Sequence, residues 1–167
     1  MALDYRSQVK AALFSLLQTA TFGDPVNGFS TWAFSSRRLK MFGTIDQSQQ
    51  PALFLVQHHE QYERRGGGLP PRIYLLTLAW CFFPSGDDAI IGDNILDTLT
   101  GAIEAVLVPP PGTARNEQTL GGLLDPTGWV RADQTASQYI RDPGDIDGQG
   151  LLVMPIRILL PVAFNSQ

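Results

Sequence analysis

The sequence contains one cysteine, Cys81, so it has no internal disulfide and cannot build a zinc site from cysteine ligands. No apolar run approaches the ~20 residues that a helix needs to cross a bilayer. The N-terminal stretch MALDYRSQVK also lacks the apolar core of a signal peptide. We therefore expect a protein that is made in a cytoplasm, stays soluble and does not enter a membrane.

Charged residues are scarce, at 17% of the chain, and a weakly charged surface favours coverage by neighbouring molecules. The sequence has no G-x-S-x-G motif, and Cys81 falls in an apolar strand where a thiol is normally inert. A net charge of −4 with few basic residues also disfavours nucleic-acid binding. We expect no catalysis, no cofactor and no sequence-specific nucleic-acid binding.

The charges that are present are unevenly distributed. Residues 1–80 carry eight Lys/Arg and five Asp/Glu, whereas residues 81–167 carry four and eleven. A folded protein with two differently charged surfaces suits head-to-tail contact with unlike partners. The alternative is that the two halves interleave in the fold and the asymmetry reflects sequence order alone.

A first helix is predicted behind Asp4, whose carboxylate can accept from the free N–H groups of the opening turn. Its apolar stripe consists of Val9, Ala12, Leu13, Leu16, Leu17 and Ala20. Phe14 lies off this stripe, so it is either a residue at the rim of the core or one that faces another subunit. The turn signal Gly23-Asp24-Pro25 ends the helix.

The centre of the sequence predicts a long β-hairpin. ALFLVQHHEQYER, after Pro51, and RIYLLTLAWCFF, residues 72–83, form its strands, and Gly66, Gly67 and Gly68 form its tip. The second strand is apolar on both faces, so both faces require cover. Helices can cover one face, and the other then needs a second layer or a neighbouring subunit.

The remaining sequence predicts one more helix and two more strands. The helix presents Ile91, Ile95, Leu99, Ala102, Ile103 and Val106 on one side and ends before Pro109. A polar loop to about Gly128 is expected to be exposed, and strands follow at residues 129–139 and in LLVMPIRILLP. Pro155 in the last strand predicts an edge position or a bulge. The order α-β-β-β-α-β-β predicts a single α+β domain over residues 1–167, with a mostly antiparallel sheet and a long β-hairpin packed against two helices.

The stretch HHEQYERRGGGLPPR offers a metal-binding alternative. His58 and His59 are adjacent on a strand, so their side chains are expected on opposite faces, where they cannot share a metal. His58 and Glu60 share a face and can supply two ligands, with carboxylates from elsewhere completing the site. Solvated strand residues are the simpler interpretation, and we expect no metal.

The same stretch lacks the Lys-Ser/Thr of a phosphate-binding loop. Its arginines, Arg64, Arg65 and Arg72, cluster at one end of the hairpin, where guanidinium groups can pair bidentately with carboxylates of a partner. The alternative is a solvated tip that discourages aggregation. A second basic group, Arg37 and Arg38 in SSRRLK, is also a candidate for protein contact.

DPGDIDG, near the C-terminus, shares acidic residues with calcium loops but lacks their alternating register and late glutamate. The residues concerned are Asp142, Asp145, Asp147 and Gly148. A tight turn before the last strand is the preferred interpretation.

Two segments, QQPALFLVQHHEQYERRGGGLPPR with the apolar strand after it and DPGDIDGQGLLVMPIRILLP, resemble tail-terminator (tail-completion) proteins of long-tailed bacteriophages. The resemblance covers the element order from about residue 3 to residue 161, and its motifs are structural rather than catalytic. It implies a structural virion protein, present in the host cytoplasm during assembly and then at the head-proximal end of the tail. Six copies would form a ring that caps the tail tube, ends its polymerisation and meets the head-completion proteins of the neck.

The partners that the resemblance implies are further copies of the chain, the tail tube protein and a neck protein. Within this resemblance, the candidate interface residues are Phe14, Arg37, Arg38, Arg64, Arg65 and Arg72. Two alternatives stay open: another neck or head-completion component, and a small metal-dependent enzyme that uses His58 and Glu60.

Overall fold

The computed structural model describes residues 4–85, 91–113, 115–146 and 148–161, and in these ranges the chain forms two α-helices, two short 3-10 helices and six strands. The α-helices are α1 (Tyr5–Gln18) and α2 (Gly92–Leu107). The strands are β1 (Phe34–Ser36), β2 (Ala52–Glu63), β3 (Arg72–Pro84), β4 (Trp129–Ala132), β5 (Ile140–Asp142) and β6 (Gln149–Leu159). No helix in these ranges has the length and apolarity to span a membrane.

The strands form one sheet in the order β1-β2-β3-β6-β4, and β5 also pairs with β6. Only the β1–β2 pair is parallel; the other pairs are antiparallel, including the long hairpin of β2 and β3. This confirms the predicted α+β fold in one domain. The single strand predicted over residues 129–139 is wrong, because Asp133 Oδ1 accepts from the Thr135 backbone N–H at 3.2 Å and starts a turn that separates β4 from β5.

The apolar stripe of α1 is placed as predicted. Four of its members are fully buried: Val9, Leu13, Leu17 and Ala20. Phe14 is partly buried and packs against this core, as expected of a residue at its rim. Asp4 precedes the helix, but its side chain makes no capping hydrogen bond, so the predicted side-chain cap is wrong. Its backbone carbonyl instead accepts from the Gln8 N–H at 2.9 Å.

The predicted stripe of α2 is confirmed at Leu99, Ala102 and Ile103, which are buried, while Ile95 and Val106 are partly buried against the core. The buried apolar residues of α2 are Leu96, Leu99, Ala102, Ile103 and Leu107. Ile91 precedes the helix and is 62% exposed, so its assignment to the core is wrong. The Leu96–Leu99–Ile103–Leu107 row is spaced by three or four residues and therefore defines the face that packs on the sheet.

β3 is covered by its own chain on most of both faces. Toward the helices it buries Ile73, Leu75, Thr77, Ala79, Cys81 and Phe83. On the opposite face Leu76, Leu78 and Phe82 are only 5–6% exposed. Phe82 there belongs to a second apolar cluster with Ile45 and Phe54. The expectation that this face needs another subunit is therefore wrong for these residues, whereas Tyr74 and Trp80 on the same face remain partly exposed.

Pro155 does not lie on an edge strand, which corrects the sequence prediction, because β6 pairs with β3 on one side and with β4 and β5 on the other. The Pro155 carbonyl accepts from the Asp133 N–H at 2.8 Å, and Asp133 follows β4. In a strand, the N and C=O of one residue point to the same side. The missing N–H of Pro155 therefore faces the gap between β4 and β5, and the ladder to β3 loses no hydrogen bond.

The sequence predicted that the polar loop between α2 and β4 is exposed. The structure corrects this, because part of the loop is buried. Leu124 is fully buried and Gln118 is 5% exposed. The Gln118 amide lies within hydrogen-bonding distance of the Val106 and Val108 carbonyls, at 3.3 and 3.4 Å. The Tyr5 hydroxyl donates to the Leu123 carbonyl at 2.7 Å. The middle of the loop therefore closes the core between the two helices.

Candidate protein-interaction surfaces

The arginines divide into two sets. Five of them form ion pairs: Arg6, Arg115, Arg131, Arg141 and Arg157. Arg37, Arg38, Arg64, Arg65 and Arg72 form none within the ranges that the structure describes. The five arginines that the sequence marked for protein contact are therefore the five whose charges are not matched inside the described chain.

The hairpin tip, residues 64–72, lies at the far end of β2 and β3. Gly67 and Gly68 have φ values of 72° and 73°, which confirms the predicted need for glycine in this turn. Arg65 Nε donates to the Pro70 carbonyl at 2.9 Å and so is used to hold the tip together. Arg64 and Arg72 are exposed, which leaves both guanidinium groups accessible to a partner.

A second basic segment, the basic lip of residues 37–41, follows β1. Ser36 Oγ accepts from the Arg38 backbone N–H at 3.0 Å and turns the chain away from the sheet. Lys40 Nζ lies 4.5 Å from the centroid of the Phe34 ring, a cation–π contact that holds the lip against β1. Arg37 and Arg38 are exposed.

Beneath the basic lip runs the apolar groove, an open groove of about 330 Å³ lined by Leu39, Lys40, Met41, Trp80 and Phe82. Leu39 is 40% exposed and Met41 is 81% exposed. Trp80 Nε1 is buried and has no hydrogen-bond partner among the described residues. A buried indole N–H without an acceptor costs free energy, so Trp80 on the floor of the groove carries an unsatisfied donor within the described chain.

The histidine pair is arranged differently from the prediction. The register of β2 against β3 shifts between Gln57 and His59, so His58 is the extra residue of a bulge. The two imidazole centroids lie 5.0 Å apart. His58 Nε2 lies 3.3 Å from the side-chain nitrogen of Gln138. The prediction that the two histidines point to opposite faces is wrong, because the bulge places both on the face that bears Leu76.

The bulge also separates His58 from Glu60, which corrects their predicted placement on one face. Glu60 Oε1 accepts from Arg6 Nε of α1 at 2.6 Å, so it faces the helices. The described residues contain no group of three or more His, Cys, Asp and Glu side chains arranged to hold a metal ion. Cys81 is fully buried, and its burial raises the pKa of the thiol far above the usual value, so the thiolate is not formed at neutral pH.

The acidic turn, residues 142–146, lies between β5 and β6 and confirms the predicted tight turn before the last strand. Asp142 Oδ1 accepts from the Gly144 N–H at 2.9 Å, and the Gly144 carbonyl accepts from the Gly148 N–H at 2.9 Å. Asp145 is exposed, and Ile146 is 102% exposed. Asp147 lies outside the described residues. An isoleucine whose side chain is fully exposed is available to another molecule.

Comparison with protein-family models finds no match to this chain, and comparison with curated protein sequences finds none either.

The apolar groove and the exposed Ile146 were not identified from the sequence. Leu39 and Met41 stand among basic residues with no periodic pattern, so their exposure depends on how the chain turns back over Trp80 and Phe82. For Ile146 a local signal exists, since an aliphatic residue between two aspartates in a Gly-rich turn has no strand or helix face to join.

Proposed function

We propose that this chain is a structural subunit of a phage tail-terminator ring, which caps the tail tube, ends its polymerisation and joins the tail to the neck. The observation that carries the proposal is the set of five arginines without ion pairs in the described chain. The sequence resemblance supplies the class of assembly. The charge pattern supplies the reason why the chain needs partners.

These arginines form two separate groups on the molecule. Ser36, next to Arg37, pairs with Phe54 of β2, whereas Arg64 lies ten residues further along the same strand direction. At ~3.3 Å per residue the groups are roughly 30 Å apart. A subunit that contacts different partners on different sides needs such separated surfaces, and planar guanidinium groups suit carboxylates of those partners.

Termination follows from geometry rather than chemistry. A heterologous contact between copies closes into a ring when the rotation per subunit divides a full turn, and otherwise makes a filament. In the proposed mechanism one rim of the ring copies the pairing surface of the tube. The other rim lacks what a further tube ring needs, so growth stops and a neck protein binds instead.

The cover of β3 does not support the proposal, since the chain itself buries most of that strand on both sides. The proposal therefore depends on the exposed arginines and on the resemblance. The metal-dependent alternative loses its geometric basis because Glu60 faces α1 and His58 faces Gln138. Another position in the neck would use the same surfaces with a different location in the particle.

The test exchanges the charge of the hairpin tip. The double variant Arg64→Glu/Arg72→Glu leaves the Arg65–Pro70 hydrogen bond in place, so we expect a folded monomer with an unchanged circular dichroism spectrum. Binding to purified tail tubes or to neck complexes should fall at least tenfold, because attractive contacts become repulsive.

Two controls separate position from charge. Lys10→Glu reverses a partly exposed charge on α1 that donates to Gln57 Oε1 at 2.6 Å, away from the tip, and should leave binding unchanged. Arg64→Lys/Arg72→Lys keeps the charge but removes the bidentate geometry, so it should give an intermediate loss. Full attachment by the Glu double variant, at native particle yield, would count against a role for the tip.

A further inference from the structure

We infer that the apolar groove and basic lip of one copy receive the acidic turn of a neighbouring copy, with Ile146 entering the groove. The inference rests on the proposed function, because it specifies the contact that joins neighbours in the ring. It assigns the two most exposed apolar side chains described, Met41 and Ile146, to one interface.

The groove has the features of a site that a single aliphatic side chain can occupy. Trp80 and Phe82 form its floor on β3, and Leu39 and Met41 form its wall. Its volume of about 330 Å³ lies within the range of sites that bind small apolar groups.

Hydrogen bonds to the end of β3 anchor the base of the acidic turn. Ser85 Oγ donates to the Gly144 carbonyl at 3.0 Å, and the Ser85 N–H donates to the Gly148 carbonyl at 2.9 Å. Together with the Asp142–Gly144 hydrogen bond, these contacts hold the base of the turn to the end of β3. A pre-ordered turn loses little conformational entropy on binding.

Charge selects this pairing among the exposed surfaces. Lys40 lines the groove, and the exposed Arg37 and Arg38 precede it in the basic lip. Asp142 and Asp145 precede Ile146 and are exposed, and neither forms an ion pair within the described ranges. The turn therefore presents an aliphatic side chain beside carboxylates, and the groove presents an apolar floor beside cations. Such complementarity raises association rates and fixes register.

The pairing is head to tail, since the two surfaces are different and lie on the same chain. Ile146 is fully exposed, so the turn does not occupy the groove of its own chain. Used once per pair of copies, this contact propagates from copy to copy and gives a ring or a filament, whereas its reciprocal use by two copies would close a two-fold dimer. It also gives the uneven charge of the sequence a role, because the basic lip lies in the first half and the acidic turn in the second.

The test uses two variants that each lose one side of the contact. Ile146→Asp disables the turn, and Met41→Asp disables the groove; both positions are exposed, so both variants should fold. Each variant alone should show self-association at least tenfold weaker than the wild type by analytical ultracentrifugation. An equimolar mixture retains one intact groove and one intact turn per pair, so it should form a 1:1 dimer and nothing larger.

Cysteine cross-linking provides a second measurement. Met41→Cys protein mixed with Ile146→Cys protein should give, under mild oxidation, a disulfide-linked dimer that contains one copy of each. Buried Cys81 stays unreactive and serves as the internal background. The matched control replaces Met41→Cys by Leu69→Cys, on the hairpin tip and 56% exposed, and should give no specific dimer.

The outcomes separate this inference from the proposed function. Two results would overturn the turn-in-groove contact and leave the ring proposal standing. One is that both Asp variants still form rings of the wild-type size. The other is that the mixtures form no dimer and no cross-link. Wild-type protein that remains monomeric alone and with tail tubes overturns both.

Discussion

The imidazole rings of His58 and His59 lie 5.0 Å apart on one face of β2, although the two residues are neighbours in the sequence. The bulge at His58 causes this arrangement, and it moves Glu60 to the opposite face, where the carboxylate binds Arg6 of α1. A site that uses His58 and Glu60 together would require the strand to lose its bulge and α1 to lose an ion pair.

We therefore predict that the purified protein contains no stoichiometric metal. After dialysis against equimolar Zn²⁺, elemental analysis should find much less than one ion per chain, because two exposed imidazoles without a carboxylate do not complete a tetrahedral site. As a control, His58→Ala should leave thermal stability unchanged in the presence and absence of Zn²⁺. One bound ion per chain that is lost in both His58→Ala and Glu60→Gln would restore the enzyme alternative.

Gly150 of β6 is predicted to tolerate no side chain. A Cβ at this position would lie 2.0 Å from ring atoms of Phe83, which is fully buried on β3. Because a fully buried ring must shift within a close-packed core to admit the Cβ, Gly150→Ala should lower the free energy of unfolding by roughly 1–3 kcal/mol, the usual cost of overpacking. Urea denaturation followed by circular dichroism measures this loss.

Gly101 of α2 provides the matched control for that variant. An added Cβ there meets no atom within 4 Å, and the residue is exposed. Because alanine stabilises a helix interior more than glycine does, Gly101→Ala should raise the free energy of unfolding by about 0.5–1 kcal/mol. Equal effects of the two substitutions would contradict the packing of β6 against Phe83.

Tyr5 is predicted to make stability fall at high pH. Burial raises the pKa of its hydroxyl from 10.0 to about 12, and the hydroxyl donates to the Leu123 carbonyl. Because the folded state keeps the proton more tightly than the unfolded state, this stabilisation is complete below about pH 10 and is lost as the pH rises through about 12.

Phenolate absorbance measured against pH should therefore show one late-titrating tyrosine, and Tyr5→Phe should remove that step. The substitution also deletes a hydrogen bond, so it should cost about 1 kcal/mol at neutral pH. A late step that survives in Tyr5→Phe would show that α1 does not pack on the loop after α2 as described.

Periodicity predicted the elements of this fold well where one face is apolar and the other is not. The stripe of α1 and the long hairpin of β2 and β3 follow directly from residue spacing. The prediction of an edge position or a bulge at Pro155 was wrong because the backbone N–H that proline lacks would face a gap between β4 and β5. That gap depends on the turn at Asp133, which is distant from Pro155 in the sequence. The bulge at His58 left no periodic signal, since β2 is polar on both faces from Gln57 onward.

The candidate surfaces also differ in whether the local sequence reveals them. Clustering in the sequence was enough to select the arginines that form no ion pair in the described chain, because long exposed side chains close together rarely find carboxylates nearby. The apolar groove depends on tertiary packing: the lip after β1 must fold back against β3 before Trp80 and Phe82 become a floor. No local pattern contains that contact.

The central claim is that the chain works as part of a closed assembly, and the mass of the particle that it forms in solution tests this most directly. Native mass spectrometry over a range of concentrations, alone and after incubation with tail tubes, should find a discrete closed species. Six copies of the 18.3 kDa chain would weigh about 110 kDa. A chain that stays at 18.3 kDa under every one of these conditions would contradict the claim.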